Sequence, residues 1–135
     1  MKIMSIDYGD VRTGIAFCDV NETLAYPYTV IKENYLPKLV NKIAEVIEKE
    51  QPEKIVIGLP RNMDGSYGYR CDECKNLGEE LSKIVNLPID FQDERLTTVI
   101  ADQVLMENNV HGKKKKQNID AVSATEILQL YIDKK

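Results

Sequence analysis

The sequence predicts an α/β fold: a five-stranded mixed sheet, three strands antiparallel and two parallel, with helices on both faces. Three patterns lead there. Up to Ile31 the chain alternates short apolar runs with turn residues, and no helix-period stretch interrupts them. Two later apolar runs, at residues 53–58 and 88–92, are short and β-rich, and each follows a segment with helical spacing. A strand reached through a helix joins its sheet in parallel by a right-handed crossover.

The first strand, Lys2 to Asp7, is apolar at Ile3, Met4 and Ile6 and ends on an acid. Gly9 and Gly14 bracket the return, where glycine's backbone freedom suits a chain doubling back. A second strand, Thr13 to Val20, runs beside the first. Ala25 to Ile31 is a third, and Pro27, with no N–H to give a ladder, places it at an edge or an irregular entry. From Tyr35 to Gln51, Leu36, Leu39, Val40, Ile43, Val46 and Ile47 fall at helical spacing. Pro37 suits the first turn of that helix and Pro52 stops it. Glu53 to Gly58 is a fourth strand, whose continuous apolar run suits a position covered on both faces.

Leu59 to Gly68 is a loop marked by Pro60, Gly65 and Gly68. A second helix, Tyr69 to Val85, turns Cys74, Leu77, Leu81 and Ile84 or Val85 inward. Pro88 to Gln92 is the fifth strand and runs into Asp93-Glu94-Arg95. Thr97 or Thr98 caps a further helix that holds Val99, Ala101, Val104 and Leu105. Asn108 to Gln117 is polar and basic and is expected to be a mobile loop. Asn118 then caps a last helix with Asp120 in its first turn and Val122, Ile127, Leu130 and Tyr131 further on. No repeat or linker composition divides the chain, so one domain over residues 1–135 is expected. This order of strands and helices is the ribonuclease H-like arrangement.

Composition narrows the function. The chain has 135 residues, 43% hydrophobic, which is enough for one ordinary core. No apolar run approaches the roughly 18 residues that a membrane span needs. With a strand pattern from the start and no signal-peptide pattern, a cytoplasmic protein is expected. The net charge of −4 argues against a protein that coats nucleic acid non-specifically, but it leaves room for a local basic patch. Lys113 to Lys116 is such a patch. Three cysteines, Cys18, Cys71 and Cys74, do not make a disulfide framework, and the lone C-x-x-C pair has no second pair to complete a zinc site.

Chemistry gathers on three acids at element ends: Asp7, Glu94 and Asp120. Each alone has an ordinary explanation. Asp7 suits turn formation, Glu94 a surface charge cluster, and Asp120 the favourable end of a helix dipole. Asp7 and Glu94 fall where open α/β sheets bind ligands, at the carboxyl ends of strands, and Asp120 joins them if the last helix packs its amino-terminal end beside the first strand. Clustered carboxylates repel one another unless a cation lies between them. Mg²⁺ or Mn²⁺ suits such a set, and a pair of these ions supports in-line phosphodiester hydrolysis without a histidine. The only histidine, His111, falls in the expected loop. Arg12, Arg61, Arg70 and Arg95 lie in or near the same loops as Lys113, Lys114, Lys115 and Lys116. These are the candidate contacts to a phosphate backbone.

These residues resemble the YqgF family, also called RuvX, described as Holliday junction resolvases and in some members as pre-16S rRNA nucleases. The resemblance is carried by Asp7-Tyr8-Gly9 with Arg12 and Gly14, by Gly58-Leu59-Pro60, and by Met63-Asp64-Gly65-Ser66 with Gly68. Asp93 to Thr98, Lys114 to Lys116 and Ile119-Asp120-Ala121 complete it. It implies a ribonuclease H-like nuclease with Asp7, Glu94 and Asp120 as catalytic, metal-binding acids. It also implies Mg²⁺ or Mn²⁺, a structured RNA or branched DNA as partner, and a role in maturing the 5′ end of small-subunit ribosomal RNA. Junction cleavage is the alternative and would call for a homodimer. Asp10 and Glu126 depart from the family pattern without removing an acid of the set.

Two other classes fit parts of the pattern. Nucleotide-binding proteins of the actin, sugar-kinase and heat-shock chaperone type share the D-x-G hairpin, but they bind ATP between two such domains and this chain has room for one. A non-catalytic nucleic-acid-binding module needs no acids, and all three are present here.

Overall fold

The computed structural model describes residues 1–9, 11–59, 69–93 and 112–134, with Tyr69, Arg70, Asp93 and residues 112–121 described by backbone alone. Strands β1 (Ile3–Asp7), β2 (Arg12–Cys18), β3 (Ala25–Lys32), β4 (Lys54–Leu59) and β5 (Ile89–Asp93) form one sheet in the order β3-β2-β1-β4-β5. β1 and β2 pair antiparallel, as do β2 and β3, while β1 pairs with β4 and β4 with β5 in parallel. The helices among the described residues are α1 (Leu36–Glu50), α2 (Tyr69–Ser82) and α3 (Gly112–Asp133). The mixed sheet and its strand order are as the sequence predicts.

Side-chain alternation divides the sheet into two cores. Met4 and Ile6 of β1, Ile15 and Phe17 of β2, and Ile55 and Ile57 of β4 pack with Leu39, Val40, Ile43 and Ile47 of α1 and with Cys71, Cys74, Leu77 and Leu81 of α2. The residues between them point the other way. Ile3, Cys18, Ala25 and Val56 pack with Ile127, Leu128, Tyr131 and Ile132 of α3. Each fully buried Ile or Leu in these layers contributes about 1.5–3 kcal/mol. On the α3 side, Gly14, Ala16 and Cys18 are small, which lets the helix lie close over β2.

α1 shows how the local sequence sets an element. Its four buried residues recur every three to four positions, with Pro37 in the first turn. It ends at Gln51, which takes a left-handed conformation (φ 55°, ψ 52°) and donates its backbone N–H to the Ile47 carbonyl at 2.8 Å.

Several boundaries differ from the sequence-based expectation. β2 stops at Cys18 rather than Val20, because Asp19 turns the chain by accepting the Thr23 and Leu24 backbone N–H groups at 2.7 and 3.0 Å. α2 stops at Ser82; of Ile84 and Val85 it is Val85 that packs against the core while Ile84 is exposed, and Cys71 joins the inner face as well. The largest difference is at α3, which begins at Gly112. Lys113 to Lys116 are therefore helical rather than a mobile loop, Asn118 is not a cap, and Asp120 lies in the third turn. Lysine is a good helix former, but a run of four carries no apolar period by which the helix could be recognised. The expected helix around residues 97–105 lies outside the described residues. Pro27 sits on the edge strand β3, opposite Ala16 and beside the irregularity in the β2–β3 register.

Candidate active site

The parallel strands β1, β4 and β5 end at one edge of the sheet, on Asp7, Leu59 and Asp93. Ile6 is level with Ile57, and Ile57 with Phe91. Asp7 therefore lies one residue past a shared level and Asp93 two residues past it. Two strand spacings of about 4.8 Å separate β1 from β5, so the ends stand about 10 Å apart. Asp7 is half-buried. Alternation from Ile3 and Ser5 places it on the α3 face, opposite Gly14 of β2. Gly9 makes the turn that follows: a Cβ there would meet the Arg12 carbonyl oxygen at 2.2 Å, so no side chain fits.

α3 runs antiparallel to β1, and one hydrogen bond fixes their relative position. The Ser5 hydroxyl donates to the Ala124 carbonyl at 2.7 Å, and both residues are fully buried. Asp7 lies two residues beyond Ser5 in the strand, about 6.6 Å. Residue 120 lies four residues before 124 in the helix, about 6 Å in the same sense. Helix position 120 and strand position 7 are thus level, on the same face of the sheet, at the edge where the parallel strands end.

Arg12 opens β2 at this edge, and alternation from Gly14 and Ala16 puts it on the face that Asp7 shares. Its Nε is buried with no hydrogen-bond partner among the described residues. Arg70 is in the first turn of α2, which starts at the same edge on the opposite face. Lys113 to Lys116 occupy the opening turns of α3, four to seven residues before position 120. At 1.5 Å per residue they extend about 6–10 Å past the acid's level. Glu94, Arg61 and Arg95 lie outside the described residues. Among the described residues, no three His, Cys, Asp or Glu side chains converge as a metal site. Cys18 lies in the α3 core, whereas Cys71 and Cys74 lie in the α1–α2 core, so the sheet separates them. Burial pushes the Cys18 thiol up.

Two contacts escaped sequence reasoning. Ser5 is one; an alternating strand gives no hint of a hydroxyl bonded to a helix 119 positions away. The other is Tyr131, whose hydroxyl donates to Asp90 at 2.8 Å while Lys54 and Lys134 lie 4.9 and 5.0 Å from its ring centre. The Tyr131 O–H, the Phe91 N–H and the two lysines hold the Asp90 carboxyl below the usual range. The cluster clamps the C-terminal part of α3 to β5, at the end of the sheet remote from Asp7.

A family model described as "RuvX: Holliday junction resolvase" matches residues 1–134. The chain belongs to the RuvX family. Membership places it among nucleases, hydrolases that cut phosphodiester bonds. A RuvX-family relative from Natranaerobius thermophilus is 40% identical over 134 residues, covering 99% of this chain and 95% of its own, and is named "Putative pre-16S rRNA nuclease". One of the same name from Streptococcus thermophilus is 38% identical and covers 99% of both chains. The fold is similar to that of Thermus thermophilus RuvC in complex with a Holliday junction substrate, with a TM-score of 0.63 and 16% identity over 99% of this chain and 94% of that one. The fowlpox virus resolvase with junction DNA gives 0.60 and 11%, over 99% and 98%. At these identities the likeness speaks for the ribonuclease H-like fold.

Proposed function

We propose that this chain is a divalent-metal nuclease that trims the 5′ end of the small-subunit ribosomal RNA precursor, acting as one domain in the cytoplasm. The observation that carries the proposal is the levelling of Asp7 with helix position 120 at the carboxyl edge of β1, β4 and β5. Glu94, directly after β5, completes the acid set. These carboxylates offer hard oxygen donors, which fit Mg²⁺ or Mn²⁺. The thiols lie in the two cores and do not compete. Asp7, Glu94 and Asp120 would hold the metal, and when bound it supplies charge stabilisation for the attacking and leaving oxygens of the phosphodiester.

The chain's own groups provide the rest. Arg12, on the face of the sheet that Asp7 shares, offers its guanidinium to a phosphate oxygen. Lys113 to Lys116 add positive charge at the helical start of α3, along the line of the helix axis beyond position 120. Arg70 adds charge from the α2 side, with Arg61 and Arg95 from the neighbouring segments. A backbone held along this line would bring its scissile phosphate to the acid edge without reading base sequence. Among the described residues, no helix is long and apolar enough to cross a membrane.

The RuvX description and the ribonuclease H-like fold favour a second substrate, a four-way DNA junction. Symmetric cutting of two strands needs two sites and hence a homodimer. Incubating the protein and Mn²⁺ with a labelled precursor rRNA 5′ end and with a four-way junction separates the two. Trimmed RNA with an intact junction is the expected result. Paired nicks in the junction by a dimeric species, with intact RNA, would assign the resolvase instead. Binding of both without cutting of either would leave a non-catalytic module.

A further inference from the structure

We infer that Ser5 is a positioning residue for the metal site, setting the axial register of α3 so that Asp120 stands level with Asp7; this rests on the metal-nuclease reading above. Ser5 lies fully buried in the central strand, level with Ala16 of β2 and Val56 of β4, neither of which offers its hydroxyl a side-chain partner. A buried hydroxyl needs an acceptor, and the one it reaches is the Ala124 carbonyl at 2.7 Å.

Ile127, Leu128 and Ile132 seat α3 by apolar contact against Ile3, Cys18 and Val56, and Gln129 ties it to the β3 side by accepting the Ala25 N–H at 2.9 Å and donating to the Thr23 carbonyl at 3.2 Å. Apolar contact is non-directional and tolerates small slides of a helix along a sheet. A hydrogen bond does not, since it weakens steeply away from its preferred length and angle. The polar clamp at Tyr131 and Asp90 lies seven residues further along α3 and ties it to the edge strand rather than to β1. Of these three polar contacts, Ser5 lies nearest position 120, one helical turn away, and it is two strand residues from Asp7. Mg²⁺ demands near-ideal octahedral geometry at 2.0–2.1 Å, so a small slide of α3 would open the ligand set.

The test is Mn²⁺ binding to the intact protein, followed by electron paramagnetic resonance, with thermal unfolding measured alongside. Four variants are compared with the wild type: Ser5→Ala, Ser5→Thr, Ile132→Val and Asp7→Asn. Ser5→Ala removes the donor and should weaken Mn²⁺ binding about tenfold, the low end for the loss of groups that orient metal ligands. Ser5→Thr keeps the donor and should bind Mn²⁺ as the wild type does, even if its extra methyl lowers the unfolding temperature. Ile132→Val loosens the same helix by packing alone and should leave the Mn²⁺ affinity unchanged. Wild-type Mn²⁺ affinity in Ser5→Ala, or equal weakening in Ser5→Ala and Ile132→Val, would overturn the positioning role while leaving the metal site standing. Wild-type protein that binds no Mn²⁺ sensitive to Asp7→Asn would overturn the metal-nuclease reading, and this inference with it.

Discussion

The Tyr131 hydroxyl donates a hydrogen bond to Asp90 at 2.8 Å, joining a residue of α3 that is 3% exposed to the solvent-facing edge strand β5. The contact lowers the Asp90 carboxyl's affinity for protons, so folding favours the ionised form. Its stabilisation is present above the ordinary carboxylate pKa and is lost as pH falls through the lowered folded-state value. Tyr131→Phe should move the Asp90 titration back toward the ordinary range and cost about 1 kcal/mol at neutral pH. That is below the usual range of about 1.5–3 kcal/mol for a bond to a charged group, because solvent screens Asp90. Side-chain carboxyl NMR and urea unfolding at pH 7 and pH 2 check both effects. A cost that is the same at the two pH values would show that lost packing, rather than the charge, carries it.

Asp19 controls the turn between β2 and β3. The Thr23 hydroxyl, then the Leu24 and Thr23 backbone N–H groups, lower its pKa to about 2. The same turn holds Glu22 at φ 56°. A depressed carboxylate contributes above its unfolded-state pKa of about 3.9 and loses that contribution as pH falls through about 2. Asp19→Ala should therefore be less stable than the wild type by a constant margin from pH 5 to pH 8. The margin should shrink below pH 4 and be nearly gone at pH 2. Chemical denaturation across that range measures it.

Gln51 occupies the left-handed position after α1, where a side chain is unfavourable and glycine is not. Gln51→Gly should stabilise the protein by about 0.5–1 kcal/mol while giving up only the exposed bond from its amide to the Glu48 carbonyl. A higher urea midpoint with an unchanged slope is the expected observation.

Arg12 stands on Asp7's face of the sheet, at the edge where the parallel strands end. If it contacts phosphate, Arg12→Ala should weaken RNA binding and lower the slope of log affinity against log salt by about 1. Fluorescence anisotropy with a labelled RNA between 50 and 200 mM salt measures the slope. An unchanged slope would mean that Arg12 serves the fold.

Local pattern made most of the sheet legible. The apolar residues Ile3, Met4 and Ile6 and the apolar run of residues 55–57 identify β1 and β4, and the helix between β3 and β4 implies their parallel pairing. The place of Asp7 at the end of a core strand was legible as well. The start of α3 was not, since Lys113 to Lys116 have helix propensity but no apolar face to mark a period. Nor was the Ser5–Ala124 bond, which depends on how a helix far along the chain docks onto the first strand. Local periodicity predicts elements and faces. Axial register between elements is set by tertiary contacts that leave no trace in spacing.

In the proposed nuclease the acid edge would hold the metal that supports phosphodiester cleavage, and loss of Asp7 would disable it. The most direct measurement is cleavage of a labelled precursor rRNA 5′ end by wild type and by Asp7→Asn, each with Mn²⁺ and with EDTA. Asp7→Asn nearly preserves shape while removing a charge, and circular dichroism can verify its fold. Cleavage by the wild type with Mn²⁺, abolished by EDTA and reduced at least a hundredfold in Asp7→Asn, is the predicted result. Cleavage that survives both EDTA and Asp7→Asn would contradict the account.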